Sequence, residues 1–148
     1  KAHALELMTT LNYPGVAVSH IEGVTAMTDV TGFGLMGHAV EMAEGSNLTA
    51  VIEYNKVPRI DGSAFYIEQE CIPGGTYRNF ASYGHKIGQM TENQKLLLCD
   101  PQTSGGLLIA VLPESVEELR AVAQKEGFPL YEIGHLEKKS GDFYIEIK

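Results

Sequence analysis

Tryptophan is absent from this sequence, and cysteine occurs only twice, at Cys71 and Cys99. Two such thiols are too few for a disulfide scaffold and too isolated for a zinc cluster. Positive charge is also scarce: 11 Lys and Arg against 19 Asp and Glu give a formal net charge of −8. A chain this acidic lacks the basic face that binding a phosphate backbone requires, so no nucleic-acid partner is expected. No apolar run approaches the ~20 residues that span a bilayer, so no membrane partner is expected either. The N-terminal stretch Lys1–Leu11 is broken by His3 and Glu6 and does not read as a signal peptide, which points to a cytoplasmic protein. Neither an internal repeat nor a low-complexity segment is present. The first residue is Lys rather than Met, and the expectation is a piece of a longer protein.

What is present suits one domain over residues 1–148: 44% of the residues are hydrophobic and 20% charged. Leu5, Met8 and Leu11 predict a helix over Lys1–Leu11, stopped by Pro14-Gly15. Val24–Val30 reads as a strand and Thr31–Gly34 as a turn. A helix follows from Leu35, with Leu35, Ala39, Met42 and Ala43 on one face and His38, Glu41 and Glu44 on the other. Leu48–Tyr54 is a second strand. Ser63 is expected to cap a short helix through Cys71, and the glycine-rich stretch from Ile72 to Met90 reads as a long functional loop, with a helical turn within it as an alternative. Lys95–Asp100 and Leu107–Leu112 read as strands, the latter central because both its faces are apolar. Pro113 starts a helix with Val116, Leu119 and Val122 as its buried stripe, ended by Gly127 and Pro129. Leu130–Glu137 and Phe143–Lys148 read as a terminal hairpin. The fold class is therefore α/β or α+β, with a mixed sheet.

Three constellations could carry chemistry. In Thr28-Asp29-Val30-Thr31-Gly32-Phe33-Gly34, the glycines let a backbone approach a phosphate, and the following helix N-terminus favours its charge. Gly32-x-Gly34-x-x-Gly37, with Glu53 21 residues after Gly32, formally matches the dinucleotide fingerprint. Asp29 at the strand end would repel a bare pyrophosphate. It suits a Mg²⁺ ligand instead, since Mg²⁺ bridges carboxylate and phosphate. A tight turn with Asp29 merely capping it is the plainer alternative. The second constellation is Cys99-Asp100-Pro101-Gln102-Thr103-Ser104-Gly105-Gly106, whose backbone could form an anion nest and whose plainer reading is an ordinary connection. In the third, Pro73–Asn79, Arg78 is either a phosphate contact or an exposed side chain without a duty. Arg59 is the other arginine outside the C-terminal helix. Cys99 closes an apolar run and reads as a buried structural thiol rather than a nucleophile, and Cys71 shows no sign of a role. The five histidines lack metal-ligand spacing.

These motifs carry a resemblance. Leu98–Leu108 (LCDPQTSGGLL), Met27–His38 (MTDVTGFGLMGH) and Ile72–Asn79 (IPGGTYRN) resemble segments of the selenide, water dikinase (selenophosphate synthetase) family, and they fall in that family's order. Aminoimidazole ribonucleotide synthetase and related ATP-binding enzymes carry strings similar to the Met27–His38 segment. The resemblance implies the C-terminal half of a two-domain enzyme, with a mixed sheet and helices packed on one side. It implies that the catalytic cysteine or selenocysteine lies in an N-terminal domain outside this sequence. The implied reaction converts selenide, ATP and water to selenophosphate, phosphate and AMP with Mg²⁺. By resemblance, Asp29 holds metal, while Thr28, Thr31, Gly32, Gly34, Thr103, Ser104, Gly105 and Gly106 lie near the phosphate site. The implied partners are the chain's own N-terminal domain and a second copy in a homodimer. A dinucleotide-binding module, a related ATP-dependent synthetase and a non-catalytic dimerisation domain remain alternatives.

Overall fold

A computed structural model of the chain describes residues 2–148. Helix α1 (Ala2–Thr9) is followed by the single turn α2 (Gly15–Val18) and strand β1 (Val24–Asp29). The part of the predicted first helix that falls on Lys1 lies outside the described residues. Helix α3 (Gly34–Ser46) ends where Asn47 turns left-handed at φ 53° and its N–H meets the carbonyls of Ala43 and Glu44. Its buried face differs from the expected one: His38, assigned to the polar side, is buried together with Met36, Ala39, Val40 and Ala43. Strand β2 (Leu48–Ile52) comes next, stopping short of Tyr54 because Tyr54–Lys56 coil into a 3₁₀ turn.

Residues 55–94 depart furthest from expectation. Helix α4 spans only Ser63–Glu68 and is entered through Gly62 at φ 86°, with no side-chain cap from Ser63. The expected long loop contains a ten-residue helix, α5 (Gly74–Tyr83), whose buried residues are Thr76, Asn79 and Tyr83. The expected strand over Lys95–Asp100 is a helix, α6 (Glu92–Leu98). A capping box decides this: the Gln94 N–H donates to Thr91 Oγ1 at 3.3 Å, and the Thr91 N–H donates to Gln94 Oε1 at 2.7 Å. A short apolar run cannot by itself separate strand from helix, and the box upstream tips it. Strand β3 (Leu107–Val111) precedes a 3₁₀ turn at Pro113–Ser115 and helix α7 (Val116–Glu126), which closes at Gly127. Strands β4 (Gly134–Lys138) and β5 (Ile145–Ile147) complete the order.

The expected α/β class with mixed pairing is what the chain adopts, but its strands divide between two sheets. One is the antiparallel pair β1–β3, in which Asp29 faces Leu107. β3 therefore has β1 as its one partner strand among the described residues and is not central. The other sheet has the order β4-β2-β5, antiparallel on one side of β2 and parallel on the other. The expected β4–β5 hairpin is thus replaced by two strands flanking β2. The connecting segment crosses the strand instead of turning back: the Thr49 hydroxyl donates to the Phe143 carbonyl and the Ala50 N–H to that of Tyr144.

Two apolar clusters hold these layers. The larger joins α3, β2 and β5 through Met36, Val40, Ala43, Ala50, Ile52 and Ile145, with Leu98 and Cys99 from the end of α6. The smaller puts Val18, Ile21 and Leu119 against Met27, Ile109 and Val111 of the β1–β3 pair. A two-stranded ribbon is marginal alone, so β1–β3 depends on this cover. Of the expected α7 stripe, Leu119 is fully buried and Val116 and Val122 partly so.

Candidate functional site

The turn 30–33 leaves β1 at Asp29 and enters α3 at Gly34, which adopts φ 71°. A Cβ on Gly34 would lie 2.8 Å from the Asp100 carbonyl oxygen, so only glycine lets the two segments meet. The segment it meets is the connection from α6 to β3, residues 99–106. Backbone hydrogen bonds stitch the two: Val30 N–H to Gly106 O at 2.9 Å, Gly105 N–H to Val30 O at 2.9 Å, and Gln102 N–H to Thr31 O at 3.1 Å.

Helix α5 clamps this junction through a polar face. Thr76, Asn79 and Tyr83 follow a helical spacing of three and four and point the same way. The Asn79 amide nitrogen donates to Gly32 O at 2.9 Å and to Cys99 O at 3.0 Å. The Tyr83 hydroxyl donates to Phe33 O at 2.6 Å. Thr76 Oγ1 donates to Asp100 Oδ1 at 3.4 Å, and Gln102 Nε2 donates to Asp100 Oδ2 at 2.8 Å. All three sequence motifs thus converge on one place, joined by a single buried asparagine.

Burial shifts the titrating groups of the clamp. The Tyr83 phenol is pushed well above its ordinary range, chiefly by burial and then by the neighbouring Cys99. Burial likewise pushes the Cys99 thiol up, while Tyr83 and the Lys95 ammonium pull the other way. Cys99 is fully buried, as expected of a structural thiol, although it follows a helix rather than a strand; Cys71 is exposed. Burial raises the Asp100 carboxyl, and its bonds from Thr76 and Gln102 offset part of that.

Asp29 is different. It is exposed at the rim, and its carboxylate accepts no hydrogen bond among the described residues. The helix-entry position belongs to Phe33 and lacks a side-chain cap, so Asp29 does not cap α3. In the turn after it and in the facing 99–106 connection, the N–H groups of Gly32, Phe33, Thr103 and Ser104 have no protein acceptor among the described residues. A single free carboxylate beside unspent amides fits Mg²⁺, which takes one or two carboxylates and fills its remaining positions with water and phosphate oxygens. Among the described residues no three His, Cys, Asp or Glu side chains cluster to form a metal cage.

Other predicted residues sit at the edge. The Thr28 hydroxyl donates to the Asp29 carbonyl at 3.3 Å, Thr103 is exposed, and Ser104 Oγ donates to Thr10 O at 3.4 Å. Arg78 is exposed on α5. Arg59 stacks over Tyr54, 3.9 Å from the ring centre, away from the site. The dinucleotide reading fails on topology, because β1 and β2 lie in different sheets rather than forming a parallel βαβ unit. Glu53 is held by Lys56 at 2.7 Å, and Gly37 is needed because a Cβ there would strike Phe33. Sequence reasoning missed the individual roles of Thr76, Asn79 and Tyr83, and named Asp100 and Gln102 only as members of their motif. The signal for the first three was polar residues at helical spacing in a stretch whose glycines read as loop.

The AIR synthase related protein, C-terminal domain, family model matches residues 1–146. Selenide, water dikinase of Haemophilus influenzae (strain 86-028NP) is 55% identical over 146 residues, covering 98% of this chain and 42% of that protein. The Pseudomonas aeruginosa protein of the same name is 59% identical over 133 residues, covering 90% of this chain and 39% of its own length. The chain thus spans about two fifths of the curated relatives it matches. A crystal structure of tt0281 from Thermus thermophilus aligns with a TM-score of 0.51 at 14% identity, over 90% of this chain and 34% of that one, a likeness of fold.

Proposed function

This chain belongs to the AIR synthase related protein family, as its C-terminal domain, and from that premise we propose that it is the C-terminal half of a two-domain selenide, water dikinase. The whole enzyme makes selenophosphate, phosphate and AMP from selenide, ATP and water. The nucleophile belongs to the N-terminal half, and this half supplies the rim of the phosphate site. The observation that carries the reading is Asn79. It ties the Asp29 turn, the α5 motif and the residues 99–106 connection into one structure, so the three motifs act as one site.

In this reading Asp29 is a Mg²⁺ ligand, and bound Mg²⁺ neutralises phosphate charge. Thr28, Thr31, Gly32 and Gly34 shape the turn beside it. Thr103, Ser104, Gly105 and Gly106 shape the facing loop, and the free amides of Gly32, Phe33, Thr103 and Ser104 point donors at phosphate oxygens. The N-terminus of α3 adds its positive end. The exposed apolar residues Leu5, Met8, Leu11, Tyr13 and Val16 support docking of the N-terminal domain on this end of the chain. The assembled enzyme is a cytoplasmic homodimer. No helix among the described residues is long and apolar enough to cross a membrane.

The test is Asp29→Asn in the full-length enzyme. ATP turnover with selenide, measured against Mg²⁺ concentration, falls and shifts to higher Mg²⁺, while thermal stability is unchanged because the carboxylate spends no bond on the fold. Activity equal to wild type at every Mg²⁺ level overturns the metal-ligand role.

A further inference from the structure

His38 is one turn inside α3, 6% exposed, in a helix otherwise buried through aliphatic residues. An imidazole is a costly filler for such a position unless its nitrogens are used. One is used: the Thr31 N–H donates to His38 Nε2 at 3.0 Å, with Thr31 Oγ1 at 3.3 Å from the same nitrogen. Nε2 must therefore carry a lone pair toward the Thr31 amide, which puts the ring proton on Nδ1. Nδ1 is buried and has no hydrogen-bond partner among the described residues. Glu41 Oε2 lies 3.6 Å from it, on an exposed side chain one turn further along. The ring borders a shallow cavity of about 140 Å³ lined by Met27, Thr28, Glu41 and Met42.

The geometry points to His38 as a positioning residue for the Asp29 site, a role that rests on the function proposed above. Thr31 is two residues past Asp29 and one before Gly32. The carbonyl of the same peptide group, Val30 O, is already taken by the Gly105 N–H, and the next one, Thr31 O, by the Gln102 N–H. With the Thr31 amide fixed by His38 as well, the Val30–Thr31 peptide plane has one orientation. The turn then presents the Asp29 carboxylate and the Gly32 and Phe33 amides outward together. Glu41 sits where it favours the Nδ1–H tautomer, as a carboxylate behind a histidine commonly does.

Two variants separate this role from simple packing. In His38→Gln the side-chain oxygen reaches about as far as Nε2 and can accept from the Thr31 amide. His38→Leu fills similar space and cannot. Both are made in the full-length enzyme, and two quantities are read: hydrogen exchange of the Thr31 amide, by selective threonine labelling, and the Mg²⁺ dependence of ATP turnover. The expected result is a wild-type-like Thr31 amide and Mg²⁺ curve in the Gln variant. The Leu variant exchanges at Thr31 at least tenfold faster and needs about 10–100-fold more Mg²⁺, the usual range for losing a group that orients a ligand. Gln and Leu variants that behave alike in both readouts overturn the proposal. If Asp29→Asn proves inert, the function above fails, and Thr31 exchange still decides whether His38 holds the turn.

Discussion

The two ends of α3 are held by opposite means. Around β2 the chain is stabilised by apolar burial: Ile145 is fully buried, and Ala50 and Ile52 nearly so, against Met36 and Ala43, while Val51 is fully buried as well. Around the turn 30–33, the contacts that fix geometry are polar and come from the backbone, the Asn79 amide, the Tyr83 hydroxyl and the His38 ring. Apolar contacts tolerate small shifts. A two-carbonyl grip by one amide does not, and a site that must present a carboxylate and several amides in register needs the second kind. The division teaches that stability and site geometry are carried by separable sets of residues.

A large effect on stability is expected at the apolar end. Ile145→Ala, at a fully buried position, should cost about 2–5 kcal/mol in denaturant unfolding through lost contacts and a cavity. Its Mg²⁺ dependence should stay that of wild type wherever the protein is folded. A changed Mg²⁺ requirement would break the separation.

Asn79→Leu is the counterpart at the polar end. It strands the carbonyls of Gly32 and Cys99, at about 1–3 kcal/mol for each one that stays buried. Amide exchange should quicken in residues 31–34 and 99–106 and remain slow in β2 and β5. Uniform loosening across both sheets would show that the clamp is part of the general core.

The same division decides what could be read from sequence. β2 was legible as a short apolar run buried on both faces, and α3 by its helical apolar period, although that period put His38 on the wrong side. The place of Asp29 at a strand end before a glycine turn was legible, because a β-branched run stops there and Gly32 and Gly34 follow. The helical nature of α5 was not, since its inward face is Thr76, Asn79 and Tyr83 and its start is Gly74-Gly75. The capping box of α6 lay in plain view at Thr91 and Gln94, but the Leu96–Leu98 run was read ahead of it. The pairing of β4 and β5 on either side of β2 depended on Phe143 and Tyr144 crossing that strand, a long-range contact with no local signature.

Thiol chemistry sharpens the comparison at smaller scale. Cys71 is exposed, whereas Cys99 is fully buried beneath the clamp with its thiol pushed up by burial. An aromatic disulfide reagent at pH 8 should titrate one thiol quickly in the native chain and two after denaturation. In Asn79→Leu the second thiol should become reachable sooner. Two fast thiols in the native protein would mean that the junction is open as it stands.

The smallest effect belongs to Asp100, where the two means of support meet. Its carboxyl is raised above 3.8 by burial, and Thr76 and Gln102 only partly offset this. Below the unfolded value both states hold the proton, and the protonated group contributes its full stability. As pH rises through the folded value the proton is lost, and with it that contribution, because the native state must then carry a half-buried carboxylate. Asparagine in its place never ionises. It can still accept from Thr76, and Gln102 can reverse its amide to accept from the new nitrogen, so any bonding penalty is independent of pH. The melting temperature of Asp100→Asn relative to wild type should therefore climb between pH 3 and pH 7, whatever its offset at pH 3. A difference that stays flat would mean that the carboxylate is well solvated in the native state. A difference that falls with pH would mean that the ionised form is what the clamp was built to hold, and would move Asp100 from the support of the site to its working charge.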